Sequence, residues 1–150
     1  MNTVHYSANK DEWETPASIF DPLDAEFDFD LDPCATLENR KCQMHFDIHA
    51  DGLSCWWQRM GYTSAFVNPP YSNLKEWIAK CSQESKHGMT CVMLIPARTD
   101  TKAWHTYIYD ASKNQFRSGV EVRFLPGRVK FVGGKHCAPF PSCIVIFRPV

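Results

Sequence analysis

Asn68-Pro69-Pro70-Tyr71 is the stretch whose residue types restrict the possible chemistry most narrowly. Two consecutive prolines hold the backbone and remove two N–H donors, so the segment offers acceptors: the Asn68 side-chain oxygen and the Pro69 carbonyl. An exocyclic amino group carries two N–H donors and a nitrogen lone pair delocalised into its ring. Two acceptors set against it can hold both protons and draw the nitrogen toward a tetrahedral, nucleophilic geometry. Asparagine suits this task because it accepts without burying a charge. Tyr71 adds a flat face on which a planar substrate can stack. The competing reading is a rigid turn, since Asn and Pro are common turn residues. The apolar run Ser64-Ala65-Phe66-Val67 just before it argues instead for a site at a strand end.

Two further clusters share that setting. Asp32-Pro33-Cys34-Ala35 follows the alternating run Phe27 to Leu31, and Pro96-Ala97-Arg98-Thr99-Asp100 follows the apolar run Thr90 to Ile95. Ligands of open α/β sheets bind beyond the carboxyl ends of the strands, so one site built from all three clusters is the economical reading. Asp32 could equally cap the next turn, Asp51-Gly52 could be only a turn, and Trp56 and Trp57 read as core. A metal module is a different chemistry to weigh. Cys34, Cys42, His45, His49 and Cys55 crowd one segment, and His45 and His49 are spaced for a metal on a helix. No C-x2-C pair accompanies them, and no metal is expected.

Positioning these groups takes an ordered succession of elements. Residues 1–12 are polar and irregular and read as a flexible N-terminus; residues 13–150 read as a single domain. Thr15-Pro16 reads as a helix start, with Thr15 as N-cap and Pro16 at the first helical position. That helix runs to about Phe27, with Ile19, Phe20, Leu23 and Phe27 on one face and Pro22 as a point of kinking or breakage. A strand ending at Asp32 follows, and residues 35–55 give no clear pattern. Next come a buried strand Ser64–Val67, a helix Leu74–Ser85, a buried strand Thr90–Ile95 and a helix Thr101–Ala111. Val120–Leu125, Arg128–Phe131 and Cys143–Phe147 read as strands. The alternation predicts an α/β sandwich with a mostly parallel sheet and an antiparallel C-terminal hairpin.

Size and composition agree with that reading: 150 residues, 44% hydrophobic and 22% charged, have the balance of one soluble domain. The longest apolar stretch, Cys91 to Ile95, is far short of a bilayer span, and the first residues lack a signal-peptide pattern. Seven scattered cysteines fit reduced thiols in a cytosol better than a disulfide framework. Charge is uneven along the chain. Residues 1–75 hold five Lys/Arg against twelve Asp/Glu, a balance of −7; residues 76–150 hold eleven against five, a balance of +6. A basic half on a neutral protein can be a nucleic-acid face or merely a solvated surface.

Asn-Pro-Pro-Tyr resembles the catalytic motif of amino methyltransferases. Other stretches, in order, resemble the phage-type, Dam-like DNA N6-adenine methyltransferase family: Trp13-Glu14-Thr15-Pro16, Leu31 to Thr36, Asp51-Gly52-Leu53 followed by Trp56-Trp57, Leu94 to Thr101, and Gly127 to Phe131. The similarity runs from about Trp13 to Phe147. It implies the class I methyltransferase fold, a compressed Rossmann-like three-layer sandwich whose last strand is an antiparallel insertion. It implies S-adenosyl-L-methionine as cofactor, held by Trp13, Thr15 and Pro16, the last two bordering its methionine end. Asp32, Pro33, Cys34 and Ala35 take the place of the family's first cofactor motif, with Asp51, Gly52 and Leu53 near the adenosine. Asn68, Pro69, Pro70 and Tyr71 would hold the target base, Asn68 also bordering the cofactor. DNA is the implied partner, its adenine flipped out of the duplex, with Arg98, Lys102, Arg128, Lys130 and Lys135 as phosphate contacts. No membrane and no obligatory protein partner are implied; a phage or prophage protein acting in the host cytoplasm is. The sequence departs from the family in having no glycine from Pro33 to Glu38, and in only 36 residues separating Asp32 from Asn68. RNA bases, protein glutamine amides, or a non-catalytic nucleic-acid-binding role are the alternatives. Loops Arg98–Ala103 and Gly127–Pro141 are left to supply a short or relaxed sequence specificity.

Overall fold

The computed structural model describes residues 14–34 and 52–150. Residues 1–12, Trp13, Ala35, Cys42, His45, His49 and Asp51 lie outside the described residues. The first element is helix α1, Ala17–Phe27. Its N-cap is Pro16, in extended conformation, whose carbonyl accepts from the Ile19 and Phe20 amides at 3.0 and 3.1 Å. The expected Thr15 cap is not made; its hydroxyl is used elsewhere, as described below. Pro22 does not break the helix, because it lies on the exposed side and Phe20 and Leu23 still seat in the core. Asp28 ends the helix in the left-handed region (φ 51°), and the Asp24 carboxylate accepts from the Phe29 amide at 3.0 Å. That turn shortens the strand expected over residues 27–32. Pairing there is reduced to isolated bridges at Leu31 and Asp32, Leu31 pairing in parallel with Ala65.

The main sheet contains β1 (Ser64–Val67), β2 (Thr90–Pro96), β5 (Val120–Phe124) and β6 (Ser142–Phe147), in the order β1-β2-β6-β5. β1 and β2 are parallel, and β6 is antiparallel to both β2 and β5. The sheet is therefore mixed: β1, β2 and β5 run one way and β6 is inserted against them. The antiparallel C-terminal pair is present, with β5 at the sheet margin and the last strand, β6, inserted between β5 and β2.

Continuous apolar strands are explained by cover on both faces. Alternate residues of each strand enter different clusters. Val67, Met93, Ile95 and Val145 pack with Trp77, Ile78 and Cys81 of helix α2 (Leu74–Ser85) and with Trp104. Phe66, Val92, Leu94 and Ile144 pack instead with Phe20 and Leu23 of α1 and with Val129 and Phe131. No helix among the described residues is long and apolar enough to cross a membrane.

Two expected elements take other forms. The helix expected over Thr101–Ala111 is a wide π-helical segment at Trp104–Ile108, after which the chain turns into a hairpin of β3 (Tyr109–Asp110) and β4 (Gln115–Phe116). The Arg117 amide donates to the Ile108 carbonyl at 2.8 Å, and its guanidinium reaches the His105 carbonyl, so the hairpin closes the helix end. The strand expected at Arg128–Phe131 forms no ladder of its own. Its alternation is nevertheless real: Val129 and Phe131 are buried while Arg128 and Lys130 are exposed. The period-2 signal came from a loop laid flat on one face of the sheet.

Candidate active site

Because β1 and β2 are parallel and Leu31 pairs in parallel with β1, the segments that follow all three emerge at one edge of the sheet. Asp32-Pro33-Cys34, Asn68-Pro69-Pro70-Tyr71 and Pro96-Ala97-Arg98 are thus brought to that edge together. Asp32, Pro33, Pro69 and Pro96 are buried there, and Asn68, Pro70 and Tyr71 are half-buried. After the prolines, Tyr71–Asn73 forms one 3-10 turn that leads directly into α2.

Thr15 is 2% exposed, and its Oγ accepts a hydrogen bond from Asn68 Nδ2 at 3.0 Å. The Asn68 side-chain oxygen is buried as well. Pro16 follows at the head of α1, so the Thr-Pro and Asn-Pro-Pro-Tyr motifs, more than fifty residues apart in the chain, form one unit. Tyr71 meets Phe140 edge to face, with ring centroids 5.2 Å apart. Phe140 belongs to the 127–141 loop, which therefore reaches back to the turn after β1.

A cleft of about 300 Å³ opens beside Tyr71, between the start of α2 and the segment after β2. Arg98 and Lys102 line it, as does Lys75, which the sequence reading did not single out. Arg128, Lys130 and Lys135 are also exposed, on the 127–141 loop, but they do not line this cleft.

Gly52 is buried and its carbonyl accepts from Trp57 Nε1 at 2.9 Å; Leu53 and Cys34 pack against the same apolar cluster. Trp57 is fully buried, in keeping with its reading as core. A buried ion pair holds this loop from α2. Lys80 Nζ lies 2.8 Å from Glu84, whose carboxylate also accepts from the Trp57 amide at 3.0 Å and the Gln58 amide at 3.4 Å. Lys80 donates in addition to the Cys55 carbonyl and sits over the Trp56 and Trp57 rings. The signal for this pair was present in the spacing. Positions 80 and 84 fall three and seven residues after Trp77, on the apolar side of the helix, where a charged residue needs a partner.

Among the described residues, no three of His, Cys, Asp and Glu are grouped to hold a metal. The Cys34 thiol is pushed well above the ordinary thiol range, first by burial and then by the nearby Asp32 carboxylate. Burial raises Cys81 strongly and Cys143 to about 12. These thiols stay protonated near neutral pH and are poor nucleophiles. The sheet edge thus presents neutral acceptors, an aromatic face and the buried Asp32 carboxylate.

Across residues 2–150 the chain matches the family model described as DNA N-6-adenine-methyltransferase (Dam). It is also 31% identical over 100 residues to a DNA N-6-adenine-methyltransferase of Escherichia phage T1. That alignment takes in 66% of this chain and 41% of the phage protein, so it spans about two fifths of that relative's length. With the family match running through every strand of the sheet and through the turn after β1, the chain belongs to the DNA N-6-adenine-methyltransferase (Dam) family.

Proposed function

We propose that the protein methylates the exocyclic N6 amino group of adenine in DNA, using S-adenosyl-L-methionine. The observation that carries this reading is the Asn68–Thr15 hydrogen bond at the end of β1, which places a neutral amide beside two prolines and an aromatic ring. Strand order supports a class I methyltransferase sandwich formed by one domain from Trp13 onward: a reversed strand, β6, lies between two strands of common direction.

The residues present fit the cofactor. Asp32 is 4% exposed at the sheet edge, and a buried carboxylate there suits a cationic amino-acid end. Thr15, Pro16, Pro33 and Cys34 would border that end, Gly52 and Leu53 would lie toward the adenosine, and Trp13, Ala35 and Asp51 would complete the set. When bound, the cofactor supplies an electrophilic methyl group on a sulfonium.

The chain's own work is positioning. The Asn68 oxygen and the Pro69 carbonyl would accept hydrogen bonds from the two amino N–H groups, which favours a localised, nucleophilic lone pair on the nitrogen; as the methyl group left the sulfonium for that nitrogen, one N–H proton would be lost to water. Pro69 and Pro70 hold those acceptors rigidly, and Tyr71 stacks on the flipped base. Arg98 and Lys102 beside the cleft, and Arg128, Lys130 and Lys135 on the 127–141 loop, contact the phosphates. The loop's contact through Phe140 makes it a candidate for short sequence recognition. A phage-type enzyme of this kind would work in the host cytoplasm.

The test is methyl transfer from labelled S-adenosyl-L-methionine to unmethylated DNA, followed by mass spectrometry of the nucleosides. N6-methyladenine from the wild type, lost in Asn68→Ala, is the expected result. Methyl transfer only to RNA or to protein amides would overturn the DNA assignment.

A further inference from the structure

Resting on the amino-methylation reading, we infer that Thr15 is a positioning residue for Asn68: it anchors the amide nitrogen and so holds the side-chain oxygen where the target amino group can meet it. A side-chain amide turns about its last torsion in a broad, nearly two-fold well, so an asparagine left to itself presents its oxygen or its nitrogen at similar cost. The two ends are opposites for this reaction. The oxygen accepts a proton of the target; the nitrogen offers a further donor to a group that is already a donor.

Thr15 is placed to steady the productive arrangement. Asn68 Nδ2 donates to Thr15 Oγ at 3.0 Å, which commits the nitrogen end and turns the oxygen away from Thr15. Thr15 is itself held on both sides. Glu14 forms an antiparallel bridge with Val132, whose amide donates to the Glu14 carbonyl at 3.1 Å. Pro16 caps α1 through its carbonyl. Thr15 is 2% exposed and pinned between two such neighbours, so its oxygen stays in place as an anchor for the amide. Asn68 is pinned in turn by β1 before it and the prolines after it. Thr15 therefore acts through Asn68, whatever else it borders.

Thr15→Val keeps shape and removes the hydroxyl; Thr15→Ser keeps the hydroxyl. The measurements are kcat, KM for cofactor and DNA, and calorimetric affinity for S-adenosyl-L-methionine. The Val variant is expected to lose about 10- to 100-fold in kcat, a larger change than in either KM, and the Ser variant to recover most of that loss. In an Asn68→Ala background, Thr15→Val should cost nothing further, because the residue it acts through is gone. Exchange of the Asn68 side-chain amide protons in the wild type supplies a reading that needs no variant to fold: protection is expected. Unprotected amide protons, unchanged kcat in the Val variant, or a Val variant that raises only the cofactor KM would each overturn the proposal. An active wild type separates these failures from failure of the methylation reading, which an inactive wild type with intact cofactor binding would overturn.

Discussion

Polar groups are buried at both ends of β1, and the two ends handle them differently. Before the strand, Glu84 is fully buried with a charge, and Lys80 and two backbone amides of the Trp57-Gln58 segment converge on it. After the strand, Asn68 and Thr15 are both neutral, and the bond between them uses the amide nitrogen. A buried charge is tolerable only when its partners are all in place, which suits a latch that should never open. A neutral amide costs less to bury and can exchange partners, which suits a site where a substrate comes and goes. The comparison separates groups that hold the fold from groups that the proposed reaction would use.

Breaking the first end should have the largest effect on stability. Glu84→Ala leaves Lys80 buried without its carboxylate and is expected to cost about 3–5 kcal/mol in urea unfolding. Breaking the second end should do the reverse. Asn68→Ala is expected to cost at least about 100-fold in turnover but only about 1 kcal/mol of stability. Equal stability losses in the two variants would erase the distinction.

A smaller effect is expected within the loop that precedes β1. Trp57→Phe removes the donor to the Gly52 carbonyl and should cost about 1–3 kcal/mol. Calorimetry should also show weaker cofactor binding if Gly52 lies toward the adenosine, and unchanged binding would confine Trp57 to the fold.

The smallest effect belongs to the exposed network Glu26–Arg123–Glu121–Arg148, with contacts of 2.5–2.7 Å. Hydrogen bonds from Arg123 are the first cause holding Glu26 and Glu121 below the ordinary glutamate value. Carboxylates lowered in the fold contribute fully above that ordinary value, and the contribution fades as pH falls through the lowered one. Acid should therefore destabilise the wild type more than Arg123→Ala, by an amount near the limit of detection in thermal melts at physiological salt. A large pH-dependent difference would show that this surface network, too, holds the fold.

Legibility in the sequence tracked how local the cause was. Helix α2 and strands β1, β2 and β6 were readable because unbroken or periodic apolar runs decide them within a few residues. Arg128–Phe131 misled because alternate burial also arises when a loop lies on a sheet face. Thr15 misled because a cap and a long-range partner compete for one hydroxyl, and local rules know only the cap. The helix expected at Thr101–Ala111 was cut short by Arg117, which lies beyond any window centred on that helix.

The sequence by itself determined the motif set and the strand that delivers Asn68, since the residue types of Asn-Pro-Pro-Tyr and the apolar run before it are local facts. Only the tertiary structure decided that β6 enters between β2 and β5, that Phe140 meets Tyr71, and that Thr15 takes the Asn68 amide. Each of these joins residues far apart in the chain through packing, and no local periodicity carries information about which distant partner a buried group will find.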